Sequence, residues 1–97
     1  MATTAGGFDS DRWKAQRNSP ARDNPRAGML GNLKDRLRPG MTRDEVVALL
    51  GEPEAKEKEG ARYIYDLGAS AFGVDYEYYV VEFDADGKLV RHAMTRG

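Results

Sequence analysis

The chain has 97 residues, a formal net charge of −1, no cysteine and 32% charged residues. That length allows one domain with a small core. It leaves no disulfide or thiolate metal site, no apolar run long enough to span a bilayer as a helix, and no global charge for nucleic-acid binding. Charge is nevertheless unevenly placed, with nine cations and four acids over residues 1–43 and six cations and twelve acids over 44–97. A basic front and an acidic back attract each other within one chain. An arm for an anionic partner is the weaker reading. Met1 to Gly7 is small and polar and is not a signal peptide. The expectation is a cytoplasmic protein if Met1 is the native start, and otherwise a mature segment.

Residues 1–24 read as an N-terminal arm, polar and broken by Pro20 and then Pro25. Phe8 and Trp13 are large for such a segment, so the arm is expected to dock. The expected place is the open face of the sheet, near Tyr78, Val80 and Val90, with Arg12 and Lys14 over Glu77 and Glu82. Residues 25–97 then form an α-α-β-β-β domain. Asn24-Pro25 is an N-cap followed by a proline suited to the first helical turn. Met29 or Leu30, Leu33 and Leu37 follow at helical spacing, and Pro39-Gly40 ends that helix. Gly28 and Gly31 weaken it unless their small size admits a neighbouring backbone.

Arg38 to Pro53 specifies the next helix almost completely. Thr42 is the N-cap and Glu45 closes a capping box, with Met41 and Val46 at staple spacing. Asp44 and Glu45 suit the positive end of the helix dipole. Val46, Leu49 and Leu50 make the apolar face, and Gly51 and Pro53 stop it. Glu54 to Gly60 is a charged, solvated link. Arg62 to Leu67 is a strand, Gly68 to Gly73 a loop carrying Phe72, and Asp75 to Phe83 the strongest strand. Asp84 to Gly87 is a hairpin turn, and Lys88 to Met94 the last strand.

These elements predict an α+β fold, two short helices on one face of a three-stranded antiparallel meander. Pairing across the turn puts Phe83, Leu89, Val81 and Tyr79 under the helices with Tyr63, Tyr65 and Leu67. The other face carries Ile64, Tyr78, Val80, Glu82, Lys88, Val90 and His92. A slip of one residue would exchange the two faces.

Gly40-Met41-Thr42, Glu45-Val46, Leu49-Leu50-Gly51-Glu52-Pro53, a later Tyr, Val81-Glu82-Phe83-Asp84 and Gly87-Lys88-Leu89 resemble the SmpA/OmlA domain. This is the domain of the BamE-like outer-membrane lipoproteins, whose fold is shared with β-lactamase inhibitory protein. The resemblance covers roughly residues 25–95. Phe8-Asp9, Trp13-Lys14, Tyr65-Asp66-Leu67-Gly68 and Gly73-Val74-Asp75 are similar to an uncharacterised bacterial branch of that superfamily. The resemblance implies a periplasmic or outer-membrane-associated protein. The chain departs from the lipoproteins in having neither a signal sequence nor a lipidated Cys.

Catalytic chemistry finds little support. His92 is the sole histidine and reads as a solvated strand residue. Asp84-Ala85-Asp86-Gly87 begins like a calcium loop, but the glycine comes too early and Thr95 stands where the closing Glu is required. Gly68 to Gly73 lacks the Lys and Ser or Thr of a phosphate loop. Ser10, Ser19 and Ser70 lack a nucleophile-elbow context. No cofactor, metal or catalytic residue is therefore assigned, and the chain is not read as an enzyme. What remains is an open, partly apolar sheet face, the usual mark of a contact site. Ile64, Phe72, Tyr76, Tyr78, Val80 and Val90 are the candidate protein-binding residues. The expected function is a non-catalytic protein-interaction module of the bacterial envelope, a monomer or weak homo-oligomer. The alternative is a soluble inhibitor or immunity-like protein that binds an enzyme. A nucleic-acid or anionic-lipid binder ranks last because the basic residues are scattered.

Overall fold

A computed structural model describes residues 8–17, 26, 29–69 and 76–96. In chain order these form α1 (Ser10–Ala15), α2 (Leu30–Arg36), α3 (Arg43–Leu50), β1 (Ala55–Glu57), β2 (Arg62–Ala69), β3 (Tyr76–Phe83) and β4 (Leu89–Arg96). The strands make one antiparallel sheet in the order β1-β2-β3-β4. Trp13, Met29, Leu33, Leu37, Val46 and Leu50 from the helical layer share one core with Tyr63, Tyr65, Leu67, Tyr79, Val81, Phe83 and Leu89. The two-layer α+β expectation holds, but the described residues contain three helices and four strands instead of two and three. The expected helix start at Asn24-Pro25 and the loop residues 70–75, with Phe72, lie outside the described residues.

α3 forms as its sequence dictates. Glu45 N–H donates to Thr42 Oγ1 at 3.1 Å and Thr42 N–H to Glu45 Oε1 at 2.8 Å, a complete capping box. Val46 and Leu50 are buried beneath it. Gly51 ends the helix at φ +78°, which any side chain would resist. A Cβ there would also stand 3.1 Å from Lys14 Cγ of α1. The chain entering α3 is bound to the sheet edge. Gly40 N–H donates to the Leu89 carbonyl at 2.8 Å, and Leu89 N–H to the Met41 carbonyl at 2.7 Å. Gly31, by contrast, has open space around it, so no close backbone approach accounts for it.

The described part of the arm, residues 8–17, docks, but on the opposite face from the one expected. The Asp9 carboxylate caps α1 by accepting from Asp11 and Arg12 N–H, and Ser10 Oγ donates to the Leu49 carbonyl of α3. Trp13 is fully buried, with its ring 5.9 Å from Tyr65 and 5.9 Å from Phe8. Trp13 joins the core that the helical layer shares with the inner sheet face. Arg12 and Lys14 therefore do not reach Glu77 and Glu82, which pair with Arg96 and Arg91.

Arg26 is the only charged residue buried among those described. Its Nε donates to the Trp13 carbonyl at 2.9 Å and its Nη1 to the Asp66 carbonyl at 2.9 Å. Nη1 also bonds the Glu54 carboxylate at 3.0 Å, and the guanidinium lies 4.9 Å from the centre of the Trp13 ring. Glu54 Oε1 in turn accepts from Asp66 N–H at 3.0 Å. The basic front and acidic back thus meet in one buried pair.

Two further differences concern the sheet. The charged link is partly a strand, since Ala55, Lys56 and Glu57 pair with Ile64, Tyr63 and Arg62. Lys58 and Glu59 then turn the chain at φ +54° and +58°. Ala, Lys and Glu have low strand propensity, and the open edge of β2 overrides it. The second difference is at the hairpin. Phe83 opposes Leu89 but Glu82 opposes Arg91, so Val90 is an extra residue in a β-bulge. The bulge exchanges the faces beyond it and turns His92 inward, opposite Val81, instead of outward as expected.

These contacts fix the expected outcomes for the tryptophan, the cap and the buried pair. Trp13 emission is blue-shifted in the native protein and moves to the water-exposed position on unfolding. Thr42→Ala lowers stability by about 1 kcal/mol through the lost cap. Arg26→Ala lowers it by about 3–5 kcal/mol, because Glu54 is left buried without its cation. Arg26→Met with Glu54→Gln recovers part of that loss. Denaturant melts followed by Trp13 fluorescence and circular dichroism measure all three.

Candidate functional site

The three described helices pack on the inner face of the sheet, and among the described residues the outer face carries only strand side chains. Strand register orders that face into rows. Ala55 pairs with Ile64, Ile64 with Val80, and Val80 with Ala93, so one apolar row crosses all four strands. One step along the strands, Glu57, Arg62, Glu82 and Arg91 form a second row of alternating charge. Glu57 and Arg62 are 3.4 Å apart, Arg62 and Glu82 3.7 Å, and Arg91 Nε donates to Glu82 Oε1. That hydrogen bond, with the nearby cations, holds the Glu82 carboxyl below the usual carboxylate range. On the other side of the apolar row lie Asp66, Tyr78 and Thr95, paired in that order.

The sequence-predicted residues fall on this surface as follows. Ile64 and Val80 are direct neighbours in the apolar row, with Val80 only 8% exposed. Tyr78 stands one step away, half-buried. Tyr76 lies further along β3, 54% exposed. Val90, 48% exposed, sits in the bulge opposite Glu82. Ala55 and Ala93 complete the row but went unnoticed, since neither small size nor low strand propensity marks a contact residue. Arg62 and Arg91 were missed because an alternating ladder becomes visible only once the register is known.

The surface offers apolar contact framed by fixed charges. Among the described residues, no group of three or more His, Cys, Asp or Glu side chains is placed to hold a metal ion. The Asp84 carboxylate is occupied by the turn, accepting from Asp86 and Lys88 N–H.

His92 is the one titratable group that the bulge brings against the inner layer. Burial pushes the Tyr79 hydroxyl up to about 12, so it keeps its proton, and it shares a hydrogen bond with His92 Nδ1. The imidazole also hydrogen-bonds the Leu37 backbone, with Lys34 nearby. Burial outweighs that bond and holds His92 below its ordinary value of 6.5, in the neutral form. A base with a depressed folded-state value stabilises the fold fully above its unfolded value. That contribution is lost as the pH falls below it. Stability should therefore drop as the pH falls through about 6.5, by at most about 1.4 kcal/mol per pH unit. His92→Gln, which keeps an acceptor for Tyr79, should flatten that segment of the pH–stability curve. Denaturant melts across the range test it.

The family model described as the outer membrane protein assembly factor BamE domain matches residues 32–93. No individual curated protein matches the chain. The matched stretch runs from α2 through the capping box of α3 to Ala93, the last member of the apolar row. It covers well over half of the chain and contains both ordered rows of the outer face. The chain belongs to the family of the outer membrane protein assembly factor BamE domain.

Proposed function

We propose that this BamE-family chain is a non-catalytic protein-interaction module of the bacterial envelope, whose partner docks on the outer sheet face. The observation that carries this reading is the apolar row Ala55, Ile64, Val80, Ala93, left open by all three helices and framed by charge. A sheet buried on one side only needs water on the other. Ile64, Tyr78, Tyr76 and Val90 are poor at meeting that need, and such patches mark contact sites. The alternating charges beside them supply orientation rather than affinity, because exposed ion pairs contribute little energy. Family membership supports the envelope, periplasmic or outer-membrane-associated, as the setting.

Photo-crosslinking groups placed at Ile64, Tyr78 and Val90 of the full chain in its native host test this reading. They should give the same discrete protein adduct, while a group at Asp35 on α2 should not. Ile64→Lys and Tyr78→Lys should each abolish the adduct while changing stability by about 1 kcal/mol or less. Equal labelling from α2, or no adduct from the sheet face, would overturn the assignment. Fractionation of the same cells tests the location.

A further inference from the structure

Beyond Leu89 the sheet ends in an edge with no main-chain partner among the described residues. Phe83 N–H donates to the Ala61 carbonyl, towards β2. Alternation along an antiparallel strand then turns Glu82 towards β4 and its partner Arg91 back towards β3. His92, Met94 and Arg96 accordingly aim their backbone N–H and C=O groups out of the sheet. The chain entering α3 caps this edge only as far as Leu89, and β4 continues to Arg96. Edge strands left open in this way are templates for an added strand.

Two features of the edge say what that strand carries. The charge row Glu57, Arg62, Glu82, Arg91 ends on a cation whose side chain is 72% exposed, so the next place in the alternation calls for a carboxylate. The apolar row ends on Ala93, two residues along on the same face, so the next place there calls for an apolar side chain. Residues 88–96 contain Lys88, Arg91 and Arg96 and no acid. A second copy of this edge would therefore bring no carboxylate to Arg91.

We propose that the outer edge of β4 accepts an extended segment of a partner protein, a strand with an acidic residue beside Arg91 and an apolar residue two places along beside Ala93. Main-chain hydrogen bonds to His92, Met94 and Arg96 supply the pairing, and the two rows set its register. This site is the edge of the sheet, distinct from the open face, and either can exist without the other.

The probe is a capped seven-residue peptide of valine and threonine with a central glutamate. Its counterpart carries lysine in that place. Both are titrated into the isotope-labelled full chain and followed by amide shifts and hydrogen exchange. The glutamate peptide should protect the amides of His92, Met94 and Arg96 and bind about fivefold more tightly than the lysine peptide. Arg91→Glu should reverse that preference. Met94→Pro removes an outward donor without touching the β3 ladder and should abolish binding in a protein whose other amide resonances are unmoved. Binding to neither peptide would overturn the proposal. So would equal binding of both, shifts confined to Ile64 and Tyr78 on the face, or a concentration-dependent dimer through β4.

Discussion

Proline 53 stands where the next pairing partner of β2 would be. In the β1–β2 register, Ala55 opposes Ile64, so continuing the ladder brings Pro53 opposite Asp66. Proline has no N–H to give. The main-chain groups of Asp66 would be left without a strand at a half-buried edge, an expensive omission. Two side chains take over. Glu54 accepts from Asp66 N–H and Arg26 donates to its carbonyl, and the two bond each other. A buried ion pair thereby continues a β-ladder by other means. Its second end holds the Trp13 carbonyl, so the same pair fixes α1 against the sheet. Desolvation of these charges is offset only because Arg26 and Glu54 are richly bonded.

From that anchor the two faces diverge. Inside, aromatic contacts dominate: Trp13 meets Tyr65 edge-on, and Tyr63 meets Phe83 with ring centres 4.9 Å apart. Tyr65 is buried too, and its hydroxyl escapes isolation by donating to the Gly51 carbonyl at the end of α3. Outside, the side chains are smaller or charged and lie in register rows. The bulge at Val90 separates two parts of β4. Before it, Leu89 belongs to the core and to the cap of α3. Beyond it, the strand presents Arg91 and Ala93 outward and His92 inward.

The family match and the surface agree in extent. Residues 32–93 contain what builds the outer face and its edge down to Ala93, while α1 and Arg26 fall outside them. The proposed interaction surface thus lies within the matched part of the chain. The tryptophan–arginine anchor lies in the flanking part, holding the sheet from behind.

Local chemistry was legible because its causes lie within a few residues of one another. Thr42, Glu45 and Gly51 determined where α3 begins and ends. Asp84 and Gly87 determined the turn, and alternation sorted Tyr63, Tyr65, Leu67, Tyr79, Val81, Phe83 and Leu89 onto the core face. Ile64, Val80 and Tyr78 were assigned to the outer face on the same grounds. Only tertiary structure decided the rest, because each decision joins residues far apart in the chain. A strand made of Ala55, Lys56 and Glu57 exists because β2 has an edge to satisfy. His92 faces inward because one bulge shifts the register, and no turn residue announces it. Trp13 went to the inner face because its ring packs there against Tyr65 and its carbonyl meets Arg26. Arg26, one basic residue among many in the front half, became the buried centre because Pro53 left Asp66 without a partner.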